Sequence, residues 1–443
     1  MKRYAKYKDS GVEWIGDIPE GWASTKLKSI GHFYGGLVGK TGEDFRSEDY
    51  STMKPFIKFT NISNNLYVPL NDFGYVVINE NDKQNLVRQY DLFFLMSSET
   101  KEDVGKCSCL KDEVGELYLN TFCKGYRIYD NSVSPLFLNY LLSGKIYRDI
   151  LSNEGNGFTR INLRLDRVNN LQIFLPPLKE QEKIVEYLDE KTSYIDKLLD
   201  ISKRKIGLLK EQRASIINQV VTKGLNPNAK MKHSGVEWIG DIPEGWEKTK
   251  VKYISNVVRG SILRPVDEPT YFDENGEWTY LNISDVSSIQ KYLNHGKLRL
   301  SELGSNKSRR VQPNNLIITG SGTVGKVFIN TIPICVHDGF IPLLDLKVNI
   351  HFMFYYLINP NLYVGIGKTN SQKNIYLDEV KEMDISIPPN NEQEEIVAYL
   401  DEKTSIIDKS ISIEERRIGL LKEYRQSIIS QVITGKIKVI ADE

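Results

Sequence analysis

The sequence predicts an α+β protein: two globular α/β domains alternate with two long helices, and an internal pseudo-twofold repeat relates the halves. Three observations predict it. Thirteen letters, SGVEWIGDIPEGW, stand at Ser10 to Trp22 and again at Ser234 to Trp246, 224 residues further on (234 minus 10). A second block, PPLKEQEKIVEYLDEKTS from Pro176, returns as PPNNEQEEIVAYLDEKTS from Pro388, and the likeness runs on to Gly224 and Lys436. The stretches between, residues 23–175 and 247–387, are almost unrelated. A period this long does not make a solenoid; it marks a duplicated two-domain protein with two different surfaces.

The elements follow in chain order. Met1 to Ser10 is polar and lacks the apolar core of a signal peptide. Short β-rich runs then dominate, among them Tyr75 to Ile78, Leu92 to Met96 and Gly125 to Tyr129, and helical patterning lies near Leu136 to Leu151. A first domain over residues 1–175 ends at the double proline. A helical element follows over 176–225. Pro177 suits a first turn, where its missing N–H is no loss. Glu180 and Glu182 favour the positive end of the helix dipole.

Leu188, Ile195, Leu209 and Ile216 lie seven or fourteen apart, with Leu199, Ile206 and Val220 as a companion line. A second domain over 226–387 shows strand runs at Leu316 to Thr319 and Lys326 to Ile329 and a helix near His351 to Ile358. The distal helix, 388–436, repeats the seam with Leu400, Ile407, Leu421 and Ile428 beside Ile411, Ile418 and Val432, and a tail covers 437–443. Ser202, Arg213, Glu414 and Arg425 interrupt the seams, Gly207 and Gly419 are candidate bends, and Gly224 and Gly435 are natural stops. A 40-residue helix is about 60 Å long and cannot bury an apolar stripe alone. Two in one chain suggest an intramolecular antiparallel coiled coil; packing of each helix on its own domain is the other reading.

Composition limits the function. Lys+Arg and Asp+Glu are 58 each, so a uniform polycation is excluded, although charge is segregated. Residues 303–377 carry Lys307, Arg309, Arg310, Lys326, Lys347, Lys368 and Lys373 against Asp338 and Asp345. Cys107, Cys109, Cys123 and Cys335 form no CxxC pair, which favours buried free thiols in a cytoplasmic protein over zinc. No apolar run approaches about 18 residues, so no membrane span is expected.

Gly320 to Lys326 reads GSGTVGK, but Val327 stands where a phosphate-binding P-loop places Ser or Thr for Mg²⁺; Gly39-Lys40-Thr41 is a second near miss. A glycine-rich turn near DNA phosphates is the better reading of the first. The double prolines Pro176-Pro177 and Pro388-Pro389 lack the Asn/Asp-Pro-Pro-aromatic order of an amino methyltransferase, and the five histidines form no triad. No catalysis is expected of this chain.

Two unlike domains on two like helices, with GVEWIGDIPEGW, PPxxEQExIVxYLDEKTS and RxIGLLKExRxSII, resemble the specificity subunit of Type I restriction-modification enzymes over nearly the whole chain. The resemblance implies that each variable domain reads one half of a bipartite, asymmetric site in double-stranded DNA. It implies that the helices set the spacing and dock two modification subunits, which methylate adenine with S-adenosylmethionine. Restriction subunits add ATP- and Mg²⁺-dependent translocation and cleavage, and no cofactor is expected in this chain. Arg, Lys, Asn and Gln read base edges or grip phosphate.

The candidates are Lys101, Lys106, Lys124, Arg160, Asn162 and Arg164 in the first domain. In the second they are Arg309, Arg310, Lys326, Lys368, Gln372, Lys373 and Asn374. Gly157 to Asn162 and Thr369 to Asn374 occupy equivalent places and are read either as DNA-facing loops or as solvated turns. Trp14, Trp22, Trp238 and Trp246 are expected at the helix ends rather than on DNA. A coiled-coil adaptor without DNA binding and a P-loop nucleotide-binding protein are the alternatives.

Overall fold

A computed structural model describes residues 3–46, 53–265, 268–363 and 374–439. Contacts divide the chain into two compact units, Met1–Ser202 with Arg416–Glu443, and Lys203–Glu415. Each long helix is therefore shared: Leu178–Lys223 (the central helix) and Asn390–Ile433 (the distal helix) both begin in one unit and end in the other.

In the first unit a four-stranded antiparallel sheet runs in the order Gly31–Gly35, Cys123–Ile128, Leu92–Leu95, Cys107–Cys109. The Leu-Phe-Phe-Leu strand is apolar throughout because both of its faces are covered. Leu92 and Phe94 point to one core with Tyr126, Phe137 and Leu138; Phe93 and Leu95 point to another with Ile57, Ile62 and Leu119. Alternation along a strand sends successive side chains to opposite faces, so one strand serves two cores. A smaller sheet, Tyr118–Leu119, Met53–Ile57 and Gly74–Val77, lies on the second side.

The second unit repeats the device. Its five strands run in the order Asn256–Val257, Phe340–Leu344, Leu316–Thr319, Val327–Asn330, Tyr292–Leu293. Leu316 and Ile318 join the core of Phe352 and Tyr356, and Ile317 joins that of Phe328 and Phe340.

The helix expected near Leu136 to Leu151 is two helices, Pro135–Ser143 and Lys145–Asn153. Gly144 between them is extended (φ −67°, ψ 148°), and a Cβ there would stand 2.1 Å from Ile433 Cδ1. The break is where the end of the distal helix packs against this unit. All four cysteines are buried, and burial pushes the Cys123 and Cys335 thiols up to about 12.

The long helices start immediately after their double prolines; the Pro177 carbonyl accepts from Gln181 N at 3.0 Å and that of Pro389 from Gln393 N at 3.0 Å. They run through Gly207 and Gly419 without interruption. They stop at Gly224 and Gly435, whose φ of +73° and +71° is left-handed and favours glycine. Within each unit the helices run antiparallel. Arg213 pairs with Asp408 at 2.9 Å and Lys205 with Glu414 at 2.7 Å in the second unit; Arg425 pairs with Asp196 at 3.2 Å in the first. Arg213–Asp408 and Arg425–Asp196 are the same pair one repeat apart (425 minus 213, and 408 minus 196, are both 212). Three of the polar interruptions in the seam are therefore ion-pairing partners between the helices.

Candidate nucleic-acid interface

The repeated letters are the fittings that hold each variable domain on its helix. Trp22 is buried and donates its Nε1 to Glu180 at 3.3 Å; Trp246 donates to Glu392 at 3.0 Å. Both tryptophans therefore sit at helix ends, as expected. Trp14 and Trp238 do not: they meet Tyr147 and Tyr356 edge-on at 5.4 and 5.7 Å, on the domains. Gln181 is buried, accepts from Ser134 N at 2.8 Å and donates to the Ser132 and Pro176 carbonyls at 3.0 and 2.8 Å. Its counterpart Gln393 accepts from Asn349 N at 2.8 Å and donates to the Pro388 carbonyl at 2.9 Å.

Asp189 collects Tyr67, Tyr140 and Lys111 at 2.8, 2.7 and 2.9 Å. Asp401 collects Tyr355 and Lys291, both at 2.6 Å. Burial works to raise the Asp401 carboxyl, but the bonds and charge of Lys291 and the bond from Tyr355 outweigh it and hold the group below the usual range. Each of these two helix carboxylates is therefore engaged by side chains of its own domain. These locks fix the orientation of whatever surface each domain presents.

In the first unit the surface carries an open hollow of about 390 Å³ lined by Met96, Ser97, Thr121, Phe122, Cys123, Lys124, Arg160, Asn162 and Leu163. Three of the sequence candidates thus come together: Lys124 from the strand Cys123–Ile128, and Arg160 and Asn162 from a hairpin. That hairpin is closed by two backbone bonds, Asn156 N to Asn162 O at 3.0 Å and Asn162 N to Asn156 O at 2.9 Å, and Ile161–Asn162 pairs with Ser97–Ser98. Its turn needs Gly157, with φ +141° and a would-be Cβ 2.0 Å from the Arg160 carbonyl oxygen. The Arg160 guanidinium lies 4.5 Å from the centre of the half-exposed Phe122 ring.

The other candidates of this unit lie apart from the hollow's lining. Lys106 turns inward to the Ser63 carbonyl at 3.0 Å and to Asp103 at 2.6 Å. Arg164 grips Asp166 with two bonds at 3.0 and 3.1 Å. Lys101 is exposed on a turn whose carbonyl accepts from Ser152.

In the second unit Arg309 is exposed and donates to the Arg259 carbonyl at 3.3 Å. Arg310 is engaged by Glu302 at 2.8 Å, by Ser305 at 2.6 Å and by the Trp278 ring at 5.0 Å. Lys326 is half-buried; burial lowers its ammonium, and the charge of Arg213 lowers it further. The glycine-rich turn before it joins two antiparallel strands, Leu316–Thr319 and Val327–Asn330, so the strand-to-helix path of a P-loop is absent there. The near miss at Lys40 is closed as well: its side chain is 4% exposed and paired with Asp82. Asn374 is half-buried. Lys368, Gln372 and Lys373 lie outside the described residues.

Two features escaped the sequence reading. One is a set of two exposed aromatic residues, Phe122 under the Arg160 guanidinium and Phe158 on the turn two residues before it; interleaving of basic and aromatic residues was its signal. The other is a third heptad line on each long helix, outside the buried seam: Tyr194, Ile201 and Leu208, and Ile406, Ile413 and Leu420. All six are between 54% and 66% exposed. The first unit carries Tyr194, Ile201 and Leu420, and the second carries their repeat equivalents Ile406, Ile413 and Leu208. The Asp196–Arg425 pair sets Leu420 level with Ile201, and Arg213–Asp408 sets Leu208 level with Ile413.

Comparison with known proteins is decisive about family. The family described as Type I restriction modification DNA specificity domain matches residues 19–211 and again 243–423. A Methanocaldococcus jannaschii protein, provisionally named the type I restriction enzyme MjaX specificity subunit, is 26% identical over 96% of each chain. The type I restriction enzyme StySPI specificity subunit of Salmonella potsdam is 23% identical over 95% of this chain and 90% of its own. Among solved structures, one from a study of complex assembly and conformational transition of the type I R-M system superposes with a TM-score of 0.74 at 16% identity, covering 95% of this chain and 99% of that one. The HsdS subunit from Thermoanaerobacter tengcongensis gives 0.52 at 18% identity, covering 95% and 98%. The chain belongs to the type I restriction-modification DNA specificity family.

Proposed function

We propose that the two units read the two halves of a split, asymmetric DNA site, and that the chain itself catalyses nothing. The observation that carries this reading is the mounting of unlike surfaces by like fittings: Trp22, Gln181 and Asp189 in one unit, Trp246, Gln393 and Asp401 in the other. DNA then meets two different readers, while a partner on the helices meets two equivalent seats. Lys124, Arg160 and Asn162 are the best-placed contacts in the first reader. Lys101 and Arg309, both exposed, suit phosphate; Lys106, Arg164 and Arg310 would have to leave an existing partner to contact DNA.

The antiparallel pairing within each unit supports a coiled coil that acts as the ruler between half-sites. The repeat-related apolar sets support docking of two copies of one modification subunit, since exposed rows of large apolar side chains mark interaction surfaces. Those subunits would flip and methylate adenine with S-adenosylmethionine, and restriction subunits would bring ATP and Mg²⁺. None of these cofactors is assigned to this chain.

The test is replacement of residues 23–175 by another recognition domain. Methylation mapped by sequencing should change at one half-site and persist at the other. Change at both, or at neither, would contradict the two-reader scheme.

A further inference from the structure

We propose that Phe158 is a wedge that enters a base step of the DNA half-site read by the first unit. This rests on the DNA-reading function above and assigns to it a residue and a mode. Phe158 stands at the tip of the hairpin closed by Asn156 and Asn162, and its side chain is fully exposed, at 106%. Folding gains nothing from a phenyl ring held in water. Yet the tip is a built turn, with Gly157 in a conformation and a space that admit no other residue.

The base of the hairpin is cationic and aromatic. Arg160 stacks on Phe122, Lys124 and Asn162 line the same hollow, and no carboxylate is among its lining residues. Two cations with no carboxylate between them select a polyanion, and the apolar part of a nucleic acid is its base stack. A ring that projects from the same turn, two residues before Arg160, therefore suits insertion between bases, with Arg160 held ready for the adjoining phosphate or guanine edge. Insertion unstacks one step, so the half-site should place a readily opened pyrimidine–purine step beneath the tip.

The experiment uses the complex of this chain with its modification subunits and duplexes carrying 2-aminopurine at successive positions of both half-sites. With the natural chain, fluorescence should rise at one step of the first half-site besides the flipped adenines. In Phe158→Ala that extra signal should vanish and affinity should fall about 5- to 150-fold, the range for losing one aromatic–base stack. Phe158→Leu, which keeps an apolar wedge, should retain most of both, and second-half-site signals should be unchanged. Unaltered fluorescence and affinity in Phe158→Ala would overturn the wedge while leaving DNA reading intact. So would weakened assembly with the modification subunits at unchanged DNA affinity. Failure of the natural complex to bind duplex would overturn the DNA-reading function itself.

Discussion

If the two apolar sets are the seats of two modification subunits, as proposed, replacing Ile413 by aspartate should remove one seat and spare the other. Ile413 is 66% exposed on the distal helix, level with Leu208 of the central helix. Fully burying an aliphatic side chain is worth roughly 1.5–3 kcal/mol, so two-thirds of one contributes about 1–2 kcal/mol to docking. An aspartate in its place would be desolvated without a partner, which adds at least about 1 kcal/mol more. The combined loss of about 3 kcal/mol corresponds to more than 100-fold in Kd. Fold stability should stay the same, because the residue is exposed. Native mass spectrometry of the chain titrated with its modification subunit is the assay. The natural chain should saturate at two partners, Ile413→Asp at one, Ile201→Asp (its repeat equivalent) at one, and the double variant at none. Equal weakening of both seats by a single substitution, or retention of two partners, would refute the equivalence of the two apolar sets.

Three further outcomes follow from the geometry. Gln181→Leu leaves Ser134 N and two carbonyls unsatisfied in a buried place, so unfolding in urea followed by tryptophan fluorescence should show a loss of about 3 kcal/mol; a loss under about 1 kcal/mol would contradict the clamp. Asp401 is held low in the folded chain, so its contribution is present above the unfolded carboxyl value of about 3.9 and disappears as pH falls through the lower folded value. Stability should therefore drop with pH below about 4, and Asp401→Asn should flatten that part of the curve. Lys124→Ala and Arg160→Ala should each weaken duplex binding and reduce the slope of log K against log salt by about one, whereas a purely base-reading arginine would leave the slope unchanged.

Much of the architecture was legible before any coordinates. The heptad lines locate both long helices because a helix repeats every 3.6 residues, so its buried face is written locally. The strands Leu92–Leu95, apolar throughout, and Leu316–Thr319, apolar up to its last residue, were legible for a similar reason: a strand covered on both faces has no polar alternation. The split of the Leu136 to Leu151 segment was not, because the neighbour that leaves room only for glycine at the break is Ile433, almost 300 residues away in the chain. Nor was the engagement by carboxylates of Lys106 and Arg310, which as letters look identical to Lys124, on the lining of the hollow, or to the exposed Arg309.

What the sequence alone determined is the duplication, the two helices and the unlikeness of the two intervening surfaces, all properties of letter order and local periodicity. The tertiary structure decided which residues meet. It brought the closing segment Arg416–Glu443 onto the first unit, made Arg213–Asp408 and Arg425–Asp196 one repeated ion pair, and gave Asp189 and Asp401 their tyrosine and lysine partners. It also decided which apolar residues stay in water, among them Phe158 at a hairpin tip and, on the long helices, Ile201 in one unit and Ile413 in the other. Exposure is a property of everything that packs nearby. A chain's local pattern records what each segment prefers, while its neighbours across the fold determine what each segment buries and what it leaves free to bind.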